Sequence, residues 1–214
     1  MQSGQGFDLS PDILLGAYAR GIFPMAESRE APNLFWLSPE WRGTFPIGGF
    51  HISRSLRKRL LSNQFTYSID AAFGAVVRSC ADREETWIND ALFALYDQLH
   101  AQSDAHSVEI WEGETLVGGV FGLKIGAAFF GESMFSRATD ASKAALAILH
   151  THLNEGGFTL FDTQFLTPHL ASLGAVEIPR NEYLKQLAKA VIIPAKFPER
   201  QEKRRPTAAL FTPS

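Results

Sequence analysis

Two short stretches of the chain end in polar residues that could do chemistry. One follows an apolar run at 127–130 and the other follows an apolar run at 158–161. Short apolar runs of this kind are typical of buried strands, so the polar residues are expected at strand ends. In chain order they are Glu132, Ser133, Ser136, Asp162 and Gln164. Carboxylates beside an aromatic cleft can change in pKa, orient an amine or accept its proton.

The segment between the two runs predicts a helix, and the helix decides how the strands are arranged. Asp140 is the expected N-cap, because its carboxylate can accept the free N–H groups of the first turn. Apolar residues recur at helical spacing from Ala141 to Leu153, and Gly156 and Gly157 supply a glycine stop. A strand–helix–strand of this length predicts a right-handed parallel crossover. Both polar sets then meet at the carboxyl ends of neighbouring strands, where open α/β sheets bind ligands.

Three other chemistries fit these residues less well. His150 and His152 lie about 200° apart on the helix, so they cannot share a metal ion, and the other histidines are scattered. A Ser-His-Asp hydrolase would need a nucleophile elbow, and the stretch 131–135 lacks the second glycine of that motif. Coenzyme A would need a glycine-rich loop for its pyrophosphate, and the link at 136–140 has no glycine and ends in an acid. The sequence therefore predicts a site without metal or cofactor.

The composition indicates a globular protein with a sizeable core. The chain has 214 residues, of which 45% are hydrophobic and 20% charged, enough for one large domain and a smaller appendage. A net charge of −3 argues against nonspecific coating of nucleic acid but leaves a local basic patch open. Cys80 is the single cysteine, so an internal disulfide is impossible. With no signal peptide and no apolar run long enough for a bilayer, the expectation is a cytoplasmic protein without membrane contact.

The character of the chain changes near Asn63. Short apolar pieces punctuated by prolines precede it, which predicts a small loop-rich domain over residues 1–63 without a sheet of its own. Longer regular elements follow: two helices, a β-meander, and then the strand–helix–strand unit. This order is typical of an N-acyltransferase-type α/β fold, and it predicts one catalytic domain over residues 64–214. Ala208 to Phe211 could add an edge strand at the end.

One cationic helix and one tryptophan leave alternatives open. A helix beginning after Ser53 would point four cations outward: Arg54, Arg57, Lys58 and Arg59. These cations are either a solvated face or contacts to phosphates. Trp87 follows a run of polar residues and is either a core residue or a platform on which a base stacks.

Nine short motifs in series resemble bacterial leucyl/phenylalanyl-tRNA–protein transferases. Each motif alone is modest, but together they cover nearly the whole chain in the order of that family. They lie at residues 14–24, 36–39, 50–58, 86–88, 105–111, 116–119, 131–136, 141–143 and 172–180. The resemblance implies an enzyme that moves Leu or Phe from Leu-tRNA or Phe-tRNA to a protein whose N-terminus is Arg or Lys, which creates an N-degron. An apolar pocket separates similar side chains by only ~1–3 kcal/mol, so some Met transfer is also expected.

The resemblance also implies a fold and roles for particular residues. The fold is α/β (α+β): an acyltransferase-like (GNAT-type) mixed sheet flanked by helices that has exchanged coenzyme A for tRNA. Asp162 and Gln164 match the family's catalytic pair, Glu132 its contact to the aminoacyl amine, and Trp87 its contact near the terminal adenosine. The remaining implied substrate contacts are Met134, Phe135, Ser136, Met25 and Trp36, and the implied tRNA acceptor-stem surface is Arg54, Arg57, Lys58 and Arg59. Many family members carry tryptophan where this chain has Met25.

The expected reaction is aminolysis of the aminoacyl ester. Gln164 would align the acceptor amine, and Asp162 would polarise it or accept its proton. Two other hypotheses remain open: an aminoacyl-tRNA-dependent transferase of the peptidoglycan type, which tends to have two such domains, and a non-catalytic module that binds tRNA or degrons. The expected partners are aminoacyl-tRNA and acceptor proteins, with no membrane or metal, and the enzyme is expected to be a monomer.

Overall fold

A computed structural model describes residues 9–29, 33–84 and 86–211. The helices are α1 (Pro11–Tyr18), α2 (Arg54–Leu60), α3 (Phe73–Ala81), α4 (Asp90–Ala101), α5 (Ala141–Glu155), α6 (Pro168–Ser172) and α7 (Arg180–Ala190). The strands are β1 (Phe23–Ala26), β2 (Leu34–Leu37), β3 (Trp41–Phe45), β4 (Thr66–Ile69), β5 (Ala105–Glu112), β6 (Thr115–Ile125), β7 (Ala128–Ser136), β8 (Leu160–Gln164), β9 (Val176–Pro179) and β10 (Gln201–Arg204). None of these helices is both long and apolar enough to cross a membrane.

A large mixed sheet organises the molecule, as predicted. Its eight strands lie in the order β10-β4-β5-β6-β7-β8-β3-β9. Strands β4 to β7 are antiparallel to one another, which confirms the meander. The pair β7–β8 is parallel and is connected through α5, which confirms the parallel pairing of the predicted crossover. The fold is therefore the mixed α/β class that the sequence indicates.

The sheet separates two apolar cores. Phe129 belongs to one core, whereas its neighbours Ala128 and Phe130 belong to the other. Successive strand residues point to opposite faces, so the two cores lie on opposite sides of the sheet. Leu60 of α2 and the apolar face of α5 cover the first side, and α1, α3, α4 and α7 cover the second. The sheet is thus covered by helices on both faces.

The segment before residue 63 is more regular than its prolines suggest. β1 and β2 pair into a small antiparallel sheet, so the prediction of irregular structure without a sheet of its own is wrong. β3 pairs with β8 on one side and β9 on the other, inside the large sheet. The domain boundary near residue 63 stays a prediction, but the segment on its N-terminal side contributes one strand to the large sheet.

Two local predictions are also wrong. Asp140 does not cap α5 with its side chain: its φ is +66°, and its carboxylate pairs with Lys143 at 2.8 Å. Ser136 takes part of that role, because its Oγ accepts the N–H of Ser142 at 3.2 Å. At the C-terminal end the edge strand is β10, and Ala208–Phe211 forms a 3-10 turn instead.

Candidate active site

An open cavity of about 280 Å³ lies where β7 and β8 diverge. The parallel register pairs Phe130 of β7 with Asp162 of β8, so the residues that follow on each strand come close together. Glu132 and Gln164 both line this cavity, which we call the active-site cavity. Of the five polar residues that the sequence predicts to converge, Glu132, Ser133 and Gln164 line this cavity, whereas Asp162 and Ser136 do not.

Glu132 is held by two phenols. Tyr18 of α1 donates to its Oε1 at 2.7 Å, and Tyr96 of α4 donates to its Oε2 at 2.9 Å. Burial raises the pKa of Glu132 to about 7, and the two hydrogen bonds oppose that rise. Burial and the adjacent carboxyl group raise the pKa of both phenols well above its ordinary value, so they remain donors. Glu132 is thus a carboxyl group that titrates near neutral pH at the wall of a cavity.

Asp162 lies behind the cavity in an ion pair that is fully buried. Arg42 of β3 donates twice to its carboxylate, through Nε at 2.9 Å and Nη2 at 2.6 Å. Tyr183 of α7 donates to Oδ2 at 2.7 Å, and the main-chain N–H of Gln164 donates to Oδ1 at 2.8 Å. Arg42 is 1% exposed and Asp162 is 0% exposed. The carboxylate of Asp162 therefore accepts four hydrogen bonds from the protein.

Gln164 ends β8 with an unusual backbone. Its φ is +58°, a conformation that residues other than glycine rarely adopt, and the hydrogen bond to Asp162 stabilises it there. The side chain is 9% exposed, and its Nε2 has no hydrogen-bond partner among the described residues. A buried amide without a partner is uncommon, and an unpartnered donor of this kind needs an explanation such as an ordered water or a ligand. Backbone strain of this kind concentrates at functional sites.

Two further predicted residues line the active-site cavity, and two border the neighbouring one. Trp87 and Met134 contribute to the wall, and Trp87 packs edge-on against Tyr96 at 6.5 Å between ring centroids. Phe135 is 7% exposed and lies mainly in the apolar core, while Ser136 bonds the start of α5. Phe135 and Ser136 both border an adjoining cavity instead.

The other predicted residues lie outside the active-site cavity. Met25 of β1 packs half-buried against the core, and Trp36 of β2 is 43% exposed. On α2, three of the four predicted cations are exposed. Arg59 already has partners within the protein, because it pairs with Glu112 at 3.0 Å and lies over the ring of Phe65 at 4.4 Å.

Four residues that matter to the site were not predicted: Tyr18, Tyr96, Arg42 and Tyr183. Tyr18 and Tyr96 fall within apolar helical stripes, so periodicity alone assigns them to the core. Their signal is chemical, because a buried phenol normally finds a hydrogen-bond partner. Arg42 belongs to a strand that the sequence does not reveal, and it lies between the rings of Phe23 and Tyr183 at 4.6 and 4.4 Å.

The fold and the cavity define a mixed α/β protein with a candidate site where the parallel pairing of β7 and β8 ends. Residues 44–188 match the family described as leucyl/phenylalanyl-tRNA protein transferase, and residues 7–40 match the N-terminal domain of that family. The chain therefore belongs to the leucyl/phenylalanyl-tRNA protein transferases and is an aminoacyltransferase. Membership in this family decides against the two alternatives that the sequence left open.

Named relatives match the sequence of this chain over most of their own length. A leucyl/phenylalanyl-tRNA–protein transferase of Roseobacter denitrificans is 60% identical over 88% of this chain and 90% of its own. One of Cereibacter sphaeroides is 62% identical over 86% of each chain. Among solved structures, the crystal structure of FemX covers 85% of this chain and 72% of its own, with 13% identity and a TM-score of 0.48.

Proposed function

We propose that this protein transfers Leu or Phe from aminoacyl-tRNA to the N-terminal Arg or Lys of acceptor proteins, at the active-site cavity. The observation that carries the assignment is that Glu132 and Gln164, from two neighbouring parallel strands, line one cavity. In the reaction the neutral α-amine of the acceptor attacks the aminoacyl carbonyl. The ester bond to the terminal ribose breaks, an amide bond forms, and the ribose hydroxyl leaves with a proton that originates from the amine.

Positioning supplies most of the acceleration in this proposal. An aminoacyl ester is already activated, so holding the amine against the carbonyl removes much of the entropic barrier. The unpartnered side-chain amide of Gln164 lies at the cavity wall, where it can align a reacting group. Glu132 carries a negative charge above pH about 7 and attracts a cation, either the aminoacyl ammonium group or the side chain of the acceptor.

Asp162 acts on the reaction through Gln164 in this proposal. Its carboxylate is fully buried and accepts from Arg42, Tyr183 and the main chain of Gln164, which supports a positioning role over transfer of the amine proton. A one-residue change in this network would move Gln164 out of alignment. Asp162, Arg42 and Tyr183 are therefore positioning residues.

The apolar part of the cavity accounts for the transferred amino acid. Val120, Met134, Leu146, Phe161 and Leu170 line it. Such a surface favours Leu and Phe side chains and discriminates weakly against Met, because similar apolar side chains differ by only ~1–3 kcal/mol. Trp87 at the rim is the proposed contact for the terminal adenosine, and the exposed cations of α2 are the proposed contact for the acceptor stem.

A transfer assay tests the function directly. Purified protein is incubated with labelled Leu-tRNA and paired peptides that differ only in an N-terminal Arg or Ala. We expect label on the Arg peptide and at least tenfold less on the Ala peptide. Met-tRNA should give slow but measurable product with the Arg peptide. Equal labelling of both peptides would contradict the proposed acceptor, and no labelling of either would contradict the function.

The assay is to be run on protein whose mass in solution is measured at the same time. We propose that the enzyme is a cytoplasmic monomer that needs no metal or cofactor. A chelator should leave the transfer rate unchanged, and scattering should give the mass of one 23.6 kDa chain.

A further inference from the structure

A depression lined by arginines leads away from the active-site cavity. A second cavity, of about 380 Å³, shares Arg83 and Met134 with the active-site cavity. A third cavity, of about 520 Å³, shares Asp82 and Arg137 with the second. We call the second and third cavities together the arginine trench. Its cationic residues are Arg29, Arg78, Arg83 and Arg137.

The trench carries an excess of positive charge. Among the residues that the structure describes, its four arginines face two acids, Asp82 and Asp90. Arg137 and Asp82 form an exposed ion pair at 3.2 Å. Arg78 lies over the ring of Phe93 at 5.3 Å, and no described residue forms an ion pair or hydrogen bond with it. Arg78 is also exposed, so its guanidinium group is available to an anionic ligand.

Arg83 lies at the border between the trench and the active-site cavity. Its guanidinium group donates to the main-chain oxygen of Met134 on β7, which fixes it at this border. It also lies 3.5 Å from the hydroxyl of Ser133. The guanidinium group has five donors, so these contacts leave others for a ligand. A cation therefore stands where a ligand would pass from the trench into the active-site cavity.

The chain also connects the two places through Trp87. Trp87 lines the active-site cavity, and the next residues, Ile88 and Asn89, line the far cavity of the trench. A base stacked on Trp87 would therefore have its phosphate close to the trench. Proteins bind single strands by this combination of aromatic platform and cationic groove.

We propose that the arginine trench binds the phosphates of the single-stranded 3′ end of the aminoacyl-tRNA. The proposal rests on the proposed function, and it adds a binding site to the acceptor-stem surface on α2. The alternative ligand, the acceptor polypeptide, begins with a cation. The excess positive charge of the trench would repel that cation, whereas it attracts phosphates.

Two donors of Leu distinguish the trench from the rest of the site. One is Leu-tRNA, and the other is leucyl-adenosine, which occupies the same cavity but carries no phosphate. We expect Arg78→Ala to raise KM for Leu-tRNA about tenfold and to leave KM for leucyl-adenosine within about twofold. The dependence of log KM on log salt should flatten by about 0.7, the value for one phosphate contact on a single strand.

The controls separate charge from structure and the trench from the proposed function. Arg78→Lys should recover most of the affinity, and Arg200→Ala, an exposed arginine of a cavity that shares no residue with the trench, should change nothing. Direct binding of a 5′-phosphorylated CCA trinucleotide by wild type and Arg78→Ala gives a readout without transfer, and we expect about tenfold weaker binding by the variant.

Three results would overturn the proposal. The first is an equal change of KM for both donors in Arg78→Ala, and the second is no change of KM for Leu-tRNA. The third is a change of KM for the acceptor peptide alone, which would assign the trench to the polypeptide. Absence of transfer by the wild-type protein from either donor would instead overturn the proposed function. In that case the trinucleotide measurement still decides whether the trench binds phosphates.

Discussion

Two carboxyl groups on neighbouring strands, near the point where the parallel pairing of the strands ends, have opposite surroundings. Asp162 on β8 is paired with the guanidinium group of Arg42, and Glu132 on β7 is bonded by two neutral phenols. The charge of Asp162 is compensated by a cation of the protein, whereas no described cation forms an ion pair with Glu132. Two carboxyl groups on neighbouring strands can therefore take different roles, and in the proposed function Asp162 fixes the geometry of the site while Glu132 binds substrate.

The largest expected effect comes from removing the partner of Asp162. Arg42→Ala leaves a buried charge without compensation, which should lower the free energy of unfolding by about 3–5 kcal/mol. Urea denaturation measures it. Arg200→Ala, which breaks an ion pair whose side chains are 65% and 81% exposed, is the control and should cost less than about 1 kcal/mol. Similar losses in both variants would show that Asp162 does not depend on Arg42 for compensation of its charge.

A smaller effect is expected from the pH dependence of Glu132. Its pKa is raised from 4.5 to about 7 on folding, so its ionisation destabilises the folded protein. The stability of wild type relative to Glu132→Gln should be highest below pH 4.5 and fall by up to about 3 kcal/mol as the pH rises through 7. Urea denaturation of both proteins between pH 4.5 and 8 checks this. A difference that stays constant with pH would show that Glu132 titrates normally.

Removing one phenol should have a still smaller effect that follows the charge of Glu132. Tyr96→Phe deletes one of the two donors to this carboxyl group, which should cost about 1–2 kcal/mol at pH 8, where the carboxylate needs the donor. At pH 5 the cost should be lower. The control is Tyr183→Phe, because that hydroxyl bonds Asp162 instead. A cost for Tyr96→Phe that is the same at both pH values would contradict the assignment.

The smallest effect is expected at Met25, which lies outside both strand ends. Met25 packs against the core on β1 and does not line the active-site cavity. Met25→Trp, which restores the residue common in the family, should change the rate of Leu transfer and the preference between Leu and Phe by less than about twofold. A larger change in preference would extend the substrate site to β1.

The sequence predicts the parts of the site that depend on local order. The strand–helix–strand unit between residues 127 and 164 has clear periodicity and a glycine stop, so its parallel crossover and the convergence of Glu132 with Gln164 follow from chain order. The parts that depend on distant pairing were not predictable. Arg42 reaches Asp162 across 120 residues, because β3 inserts between β8 and β9. No local pattern encodes that insertion.

The two phenols that donate to Glu132 were not predicted for a different reason. Tyr18 and Tyr96 are fully buried at helical spacing, which is the pattern of core residues, so periodicity does not indicate a role for their hydroxyl groups. The same limit applies to Asp140, whose cap geometry depends on a backbone angle that residue type alone does not determine. Roles that follow from a family resemblance, by contrast, stay predictions until the residues are changed one at a time.

The most direct test of the central claim is the single-turnover rate of Gln164→Ala. Leucine transfer to an Arg peptide and the Kd for Leu-tRNA are measured on the same preparation. If Gln164 aligns the amine, the rate should fall by about 100-fold or more, in the range typical of a lost positioning group, and the Kd should stay within about threefold. An unchanged rate, or a loss of tRNA affinity that accounts for the whole defect, would contradict the account.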